Sequence, residues 1–136
     1  MKRINWKLVL AVLAVIVVSS FLAFVFWAND ALPASDVALQ AMQSDEQVQV
    51  SEENGWVTFS PADDPQPETG FIFYPGGRVD YRAYSPVLRM IAEQGYFVAL
   101  VPVPLNLAFF DINVAASVQA QYPEISHWVV GGHSLG

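Results

Sequence analysis

From Leu8 to Trp27 the chain runs for 20 residues with only Ser19 and Ser20 as polar members. A helix of that length, rising roughly 1.5 Å per residue, spans about 30 Å, the thickness of the hydrocarbon core of a bilayer. A buried core helix is a poor fit because both faces of the segment are apolar. A cleaved signal peptide would carry a shorter apolar region, about 7–15 residues, followed by a small-x-small site. Here Phe26 and Trp27 stand where small residues are needed, and a site ending at Ala34 would place Leu32 at its other small position. The segment therefore reads as an uncleaved membrane anchor over residues 8–27, and it accounts for most of the 54% hydrophobic content.

Charge orients that anchor. Lys2, Arg3 and Lys7 precede it, and no further Lys or Arg occurs before Arg78. The positive-inside rule then leaves the N-terminus in the cytoplasm and exports everything after Asn29, with Trp6 and Trp27 as interfacial anchors. The expected location is the cell membrane, single-pass, with the folded domain outside the cytoplasm. That exported part sets three arginines against all 13 acids, a formal net charge of −10. Such a balance argues against nucleic acid as a partner. With no cysteine in the chain, disulfides, thiolate zinc sites, a cysteine nucleophile and a lipoprotein-type anchor are excluded.

Composition divides the chain into an N-terminal tail with anchor (1–28), a polar spacer (29–46) with a short helix around Val37 to Met42, and a folded domain (47–136). In that domain Val48 and Val50 alternate with Gln, Val57 and Phe59 alternate with Thr, and Asn54-Gly55 lies between them, which predicts an antiparallel hairpin. Ser60 to Gly70, with three prolines and three acids, reads as a surface loop. Phe71-Ile72-Phe73-Tyr74, Tyr96 to Val101 and His127 to Val130 are short apolar runs, as buried strands are.

Two helical patterns alternate with those runs. Tyr84, Val87, Leu88 and Ile91 mark one helix face, with Ser85-Pro86 as its cap and first turn and Gly95 as its stop. Val114, Val118 and Tyr122 mark another, which Asp111 can cap and Pro123 ends. The whole is an α/β chain: a hairpin, then a parallel βαβαβ sheet with right-handed crossovers.

The third apolar strand runs straight into Gly131-Gly132-His133-Ser134-Leu135-Gly136. Gly-x-Ser-x-Gly alone is weak, but a strand entering it is the context a nucleophile elbow needs. Its serine is held in a strained conformation in a turn so tight that the residues two places before and after it, Gly132 and Gly136, must have no side chain to clash. Ser134 would then project from the carboxyl end of the sheet, where open α/β sheets bind ligands. One oxyanion donor is the N–H of the residue after the nucleophile, Leu135. The other comes from the loop after an earlier strand, where Tyr74-Pro75-Gly76-Gly77 places Gly77, with Gly76 or Arg78 as neighbours in register. A plain strand-to-helix turn would use glycine there too. This chemistry calls for no metal or other cofactor.

Tyr74-Pro75-Gly76-Gly77-Arg78-Val79, Pro104-Leu105-Asn106-Leu107-Ala108 and the Gly-Gly-His-Ser-Leu-Gly turn together resemble the α/β-hydrolase fold-5 family, bacterial relatives of dienelactone hydrolases and serine esterases. The resemblance covers about Gln47 to Gly136. It implies the N-terminal half of an α/β-hydrolase fold, Ser134 as nucleophile, Gly76-Gly77 beside the oxyanion, a small ester-like substrate, and a catalytic Asp and His that follow the serine. No residue after Gly136 supplies them here, so the chain reads as a fragment ending at the elbow. His133 belongs to the elbow packing, His127 lies at the far end of its strand, and helix capping explains Asp80 and Asp111. Two functions stay open: a membrane-anchored serine hydrolase of ester or related acyl bonds, and a tethered binding domain of the same fold without catalysis. Acyl transfer on that fold is a third reaction of the enzyme class.

Overall fold

The computed structural model describes residues 5–64 and 67–136; Lys2 and Arg3 of the orientation argument and Pro65 of the surface loop lie outside them. The hairpin forms as its Asn-Gly pair predicts. Strand β1 (Val48–Glu53) and strand β2 (Trp56–Pro61) pair antiparallel with Glu53 opposite Trp56. Asn54 and Gly55 turn between them at φ +54° and +88°, the left-handed pair that matches strand twist.

Three further strands complete the sheet: β3 (Thr69–Tyr74), β4 (Phe97–Leu100) and β5 (His127–Gly132). Their order is β1-β2-β4-β3-β5. β3 pairs parallel with β4 on one side and with β5 on the other, while β2 meets β4 antiparallel. The chain thus steps one way from β3 to β4 and back past β3 to β5. With right-handed crossovers, opposite steps put the two connecting helices on opposite faces.

The packing follows. Helix α3 (Ser85–Ala92) buries Leu88 and Ala92 against Val57, Phe59, Val98 and Leu100 on one face. Helix α4 (Val114–Gln121) buries Val118, with Val114 and Tyr122 beside it, against Ile72, Tyr74, Phe97 and Ala99 on the other. Three local expectations are corrected. Ser85 is not the cap of α3: it lies inside the helix and its hydroxyl donates to the Arg82 carbonyl at 2.7 Å. Val87 is exposed, because the turn of 3₁₀ helix at Tyr81–Tyr84 leads into α3 and rotates its buried stripe onto Ser85, Leu88 and Ala92. Asp111 does not cap α4, since it closes a 3₁₀ turn at Ala108–Phe110 and the helix starts after Asn113, without a side-chain cap.

Helix α1 (Trp6–Asn29) is one continuous apolar rod, long and apolar enough to cross a membrane, and Ala28 is its single buried residue. Residues 30–45 then lie along the sheet domain. Leu32 forms a parallel bridge with Val79, its N–H on the Arg78 carbonyl at 2.8 Å and its carbonyl taking the Asp80 N–H at 2.9 Å. The short helix α2 (Asp36–Gln40) is capped by Ser35, whose hydroxyl takes the Ala38 N–H at 3.3 Å. Arg89 of α3 fastens the end of this segment, donating to the Gln43 carbonyl at 2.7 Å and pairing with Asp45.

Candidate active site at the serine turn

β5 is a strand whose last residue enters a reversal with almost no volume. Gly136 N–H donates to the His133 carbonyl at 2.9 Å, closing a four-residue turn over Ser134 and Leu135. Ser134 takes φ +56°, the left-handed region that costs a side-chain-bearing residue free energy. The turn closes because its glycines touch. A Cβ on Gly132 would lie 2.5 Å from the Gly136 carbonyl carbon, and one on Gly136 would lie 2.2 Å from the Tyr74 carbonyl oxygen. No side chain fits at either position, so the glycines are required by contact. His133 N–H donates to the Tyr74 carbonyl at 3.2 Å, which ties the turn to the end of β3.

The loop after β3 lies against that turn. Gly76 is buried, and a Cβ there would meet His133 Nδ1 and the Tyr84 hydroxyl, each at 2.8 Å. Its N–H donates to the Tyr84 hydroxyl at 3.1 Å. The same hydroxyl stands 2.9 Å from His133 Nδ1. Tyr84 thus clasps the β3 loop and the serine turn together, with its ring packed on Phe73 at 5.0 Å between centroids. The N–H groups of Gly77 and Leu135 meet no acceptor among the described residues. Gly77 is half-buried and Leu135 exposed.

The loop after β4 forms the third wall. Pro104–Asn106 is a 3₁₀ turn with Leu105 at φ +55°, and the side chain of Asn106 lies outside the described residues. Ala108 N–H reaches the Leu135 carbonyl at 3.4 Å. Beside the serine turn lies an open apolar cleft of about 390 Å³ lined by Tyr74, Phe109, Ile112, Ala115, Val130 and Gly136. Tyr74 crosses its floor, accepting the Ala115 N–H at 3.2 Å. Burial pushes the Tyr74 phenol up, against that amide bond, so it stays a neutral hydrogen-bonding group at physiological pH.

Of the remaining candidates, Asp80, His127 and His133 have local partners. Asp80 caps the 3₁₀ turn that precedes α3, taking the Arg82 N–H at 3.0 Å. The Arg82 guanidinium bonded to it holds its carboxyl below the usual carboxylate range, although partial burial pulls the other way. Asp111 sits in the β4 loop with no role as a cap. His127 opens β5 at the end away from Ser134 and bonds the Ser126 hydroxyl at 2.9 Å. His133 adjoins Ser134 in the chain, but its Nδ1 faces Tyr84. Ser134, Leu135, Gly76 and Gly77 thus come together at the carboxyl edge of β3 and β5.

Tyr84 is the residue that sequence reasoning assigned only to a helix face. Its signal was its hydroxyl: a tyrosine on an inward stripe needs a polar partner, and the nearest polar backbone is that of the glycine loop. No curated protein matches the chain. Residues 70–136, from β3 through the serine turn, match the model of the alpha/beta hydrolase family. Over that stretch the chain is similar to the alpha/beta hydrolase family.

Proposed function

We propose that this protein is a membrane-anchored serine hydrolase of ester or related acyl bonds, with Ser134 as its nucleophile. One observation carries the reading. Ser134 sits at φ +56° on a turn fed directly by a strand, between two glycines that have no room for a Cβ. A turn so costly to build makes sense where a hydroxyl must stand clear of the sheet to attack a carbonyl. The N–H of Leu135 and that of Gly77 are the donors to the developing oxyanion. Gly76, whose N–H is taken by Tyr84, supports Gly77 from below. The small-molecule substrate enters through the open cleft beside the turn.

The serine still needs a base and an acid to orient it. His127 and His133 face other partners, and in the α/β-hydrolase order both groups follow the nucleophile in the chain. α1 serves as the anchor, with the N-terminus in the cytoplasm and the sheet domain outside. The test is labelling by a fluorophosphonate probe, with and without a C-terminal extension that carries an Asp and a His. Labelling of the extended chain that Ser134→Ala abolishes supports the reading; labelling that survives Ser134→Ala refutes it. An extended chain that folds and never labels points to the non-catalytic binding domain.

A further inference from the structure

The end of α1 is fastened to the same loops that build the serine site. Arg78, in the loop after β3, lays its guanidinium over the Trp27 ring at 5.0 Å from the centroid. It also pairs with the Asp30 carboxylate at 2.9 Å and donates to the Asp30 carbonyl at 3.0 Å. The Leu32–Val79 bridge follows immediately, and α1 touches the turn at Pro104–Asn106 in the loop after β4. Over the rest of its length α1 stands free of the domain. The same β4 loop ends in Phe109, Phe110 and Ile112, which are 62%, 47% and 69% exposed, with the two phenylalanine rings 4.3 Å apart. Three large apolar side chains exposed in four residues, beside an apolar cleft, are more than scattered surface hydrophobics.

We propose that the carboxyl edge of the sheet faces the bilayer that holds α1, and that Phe109, Phe110 and Ile112 rest in its headgroup region. The proposal depends on reading α1 as a membrane span. The occupant is the lipid surface because the helix that enters it leaves from this edge, held at Trp27 and Arg78. Asp111 between the apolar residues limits the seating to headgroup depth, and the acidic domain fits a zwitterionic surface better than an anionic one.

The chain has no cysteine, so single bimane labels can be placed at will. The 136-residue chain is reconstituted in phosphatidylcholine vesicles with labels at Phe110→Cys, Ile112→Cys, Glu124→Cys at the opposite edge of the sheet, or Val15→Cys within α1. Nitroxide lipids are the quenchers. The expected result is headgroup quenching at 110 and 112 about threefold or more above that at 124, as for side chains seated in an interface. Arg78→Ala, which removes the Trp27 and Asp30 contacts while the Leu32–Val79 bridge remains, is expected to lower quenching at 110 and 112 towards that at 124. Equal quenching at 110, 112 and 124, with Val15 quenched by acyl-chain nitroxides, overturns the proposal and leaves the anchor standing. An unquenched Val15 overturns both.

Discussion

β4 and β5 look alike as sequence and behave as opposites. Phe97-Val98-Ala99-Leu100 and Trp128-Val129-Val130 are both short apolar runs that flank helices. β4 is buried along its whole length between β2 and β3, with a helix on each face. Among the described residues β5 pairs only with β3, and Val129 remains 54% exposed. Apolar composition reports that a strand belongs to a sheet; position within the sheet decides how much of that composition turns into stability. β5 concentrates its constraint at its last residue instead, where Gly132 enters the serine turn.

The sharpest way to break this contrast is a charge in each strand. Val98→Asp places an unpaired carboxylate in the core and is expected to cost more than about 4 kcal/mol, abolishing folding. Val129→Asp on the exposed face is expected to cost under about 1 kcal/mol. Urea titration in detergent reads both, and equal costs would mean that β5 is covered. A smaller effect tests where β5 is intolerant. Gly132→Ala drives a methyl into the Gly136 and Tyr74 backbone and is expected to cost about 2–4 kcal/mol, whereas Val130→Ala costs under about 1 kcal/mol. If Val130→Ala proves the worse of the two, the constraint lies along the strand and not at its end.

Smaller again is the clasp. Tyr84→Phe keeps the ring contact with Phe73 and deletes the hydroxyl that takes the Gly76 N–H. A loss of about 1–2 kcal/mol is expected, with amide exchange at Gly76 faster by about tenfold. Unchanged exchange there would show that the β3 loop holds itself. Acid gives the smallest effect and leaves the contrast between strands untouched. Bonding to Arg82 depresses the Asp80 carboxyl, and bonds from the Val48 and Gln47 N–H groups depress that of Asp45, with Arg89 adding to the effect. Their contribution is complete above the unfolded carboxylate value, about pH 4, and is lost as pH falls through the depressed values. Asp80→Asn should flatten part of that acid limb in a pH titration of stability; a limb identical to that of the parent chain would assign it to other groups.

The elements were legible where one residue type has one physical use. Asn54-Gly55 could only be a tight turn, and the glycines of 131–136 marked a turn with no room for side chains. The spacing of Val114, Val118 and Tyr122 likewise declared its inward face. Sequence reasoning failed where a residue has several uses. Ser85-Pro86 has the chemistry of a helix start, yet the preceding 3₁₀ turn absorbed that role under the Asp80 cap. Asp111 could cap a helix, but the 3₁₀ turns after β4 moved the start of α4 to Val114. The docking of residues 30–45 was illegible because it rests on pairs far apart in the chain, Asp30 with Arg78 and Asp45 with Arg89, which no local pattern announces. Of the site, the serine and the glycines were readable from motif and spacing. Tyr84 was not, because its function depends on which backbone lies opposite.

The strand order carries a consequence for how the chain is made. β3 is synthesised directly after the β1–β2 hairpin, yet it does not join it: Thr58 of β2 lies opposite Ala99 of β4, and Phe71 of β3 lies opposite Val98 on β4's other side. The central strand therefore arrives after both of its neighbours and must slot between them. Until it does, the nascent polypeptide presents two open apolar edges that are close in sequence and free to pair with each other in the wrong register. Non-local pairing of this kind is slow and exposed to aggregation. Refolding is therefore expected to pass through a hairpin-first intermediate, and a chaperone that shields β3 until β4 emerges should raise the yield.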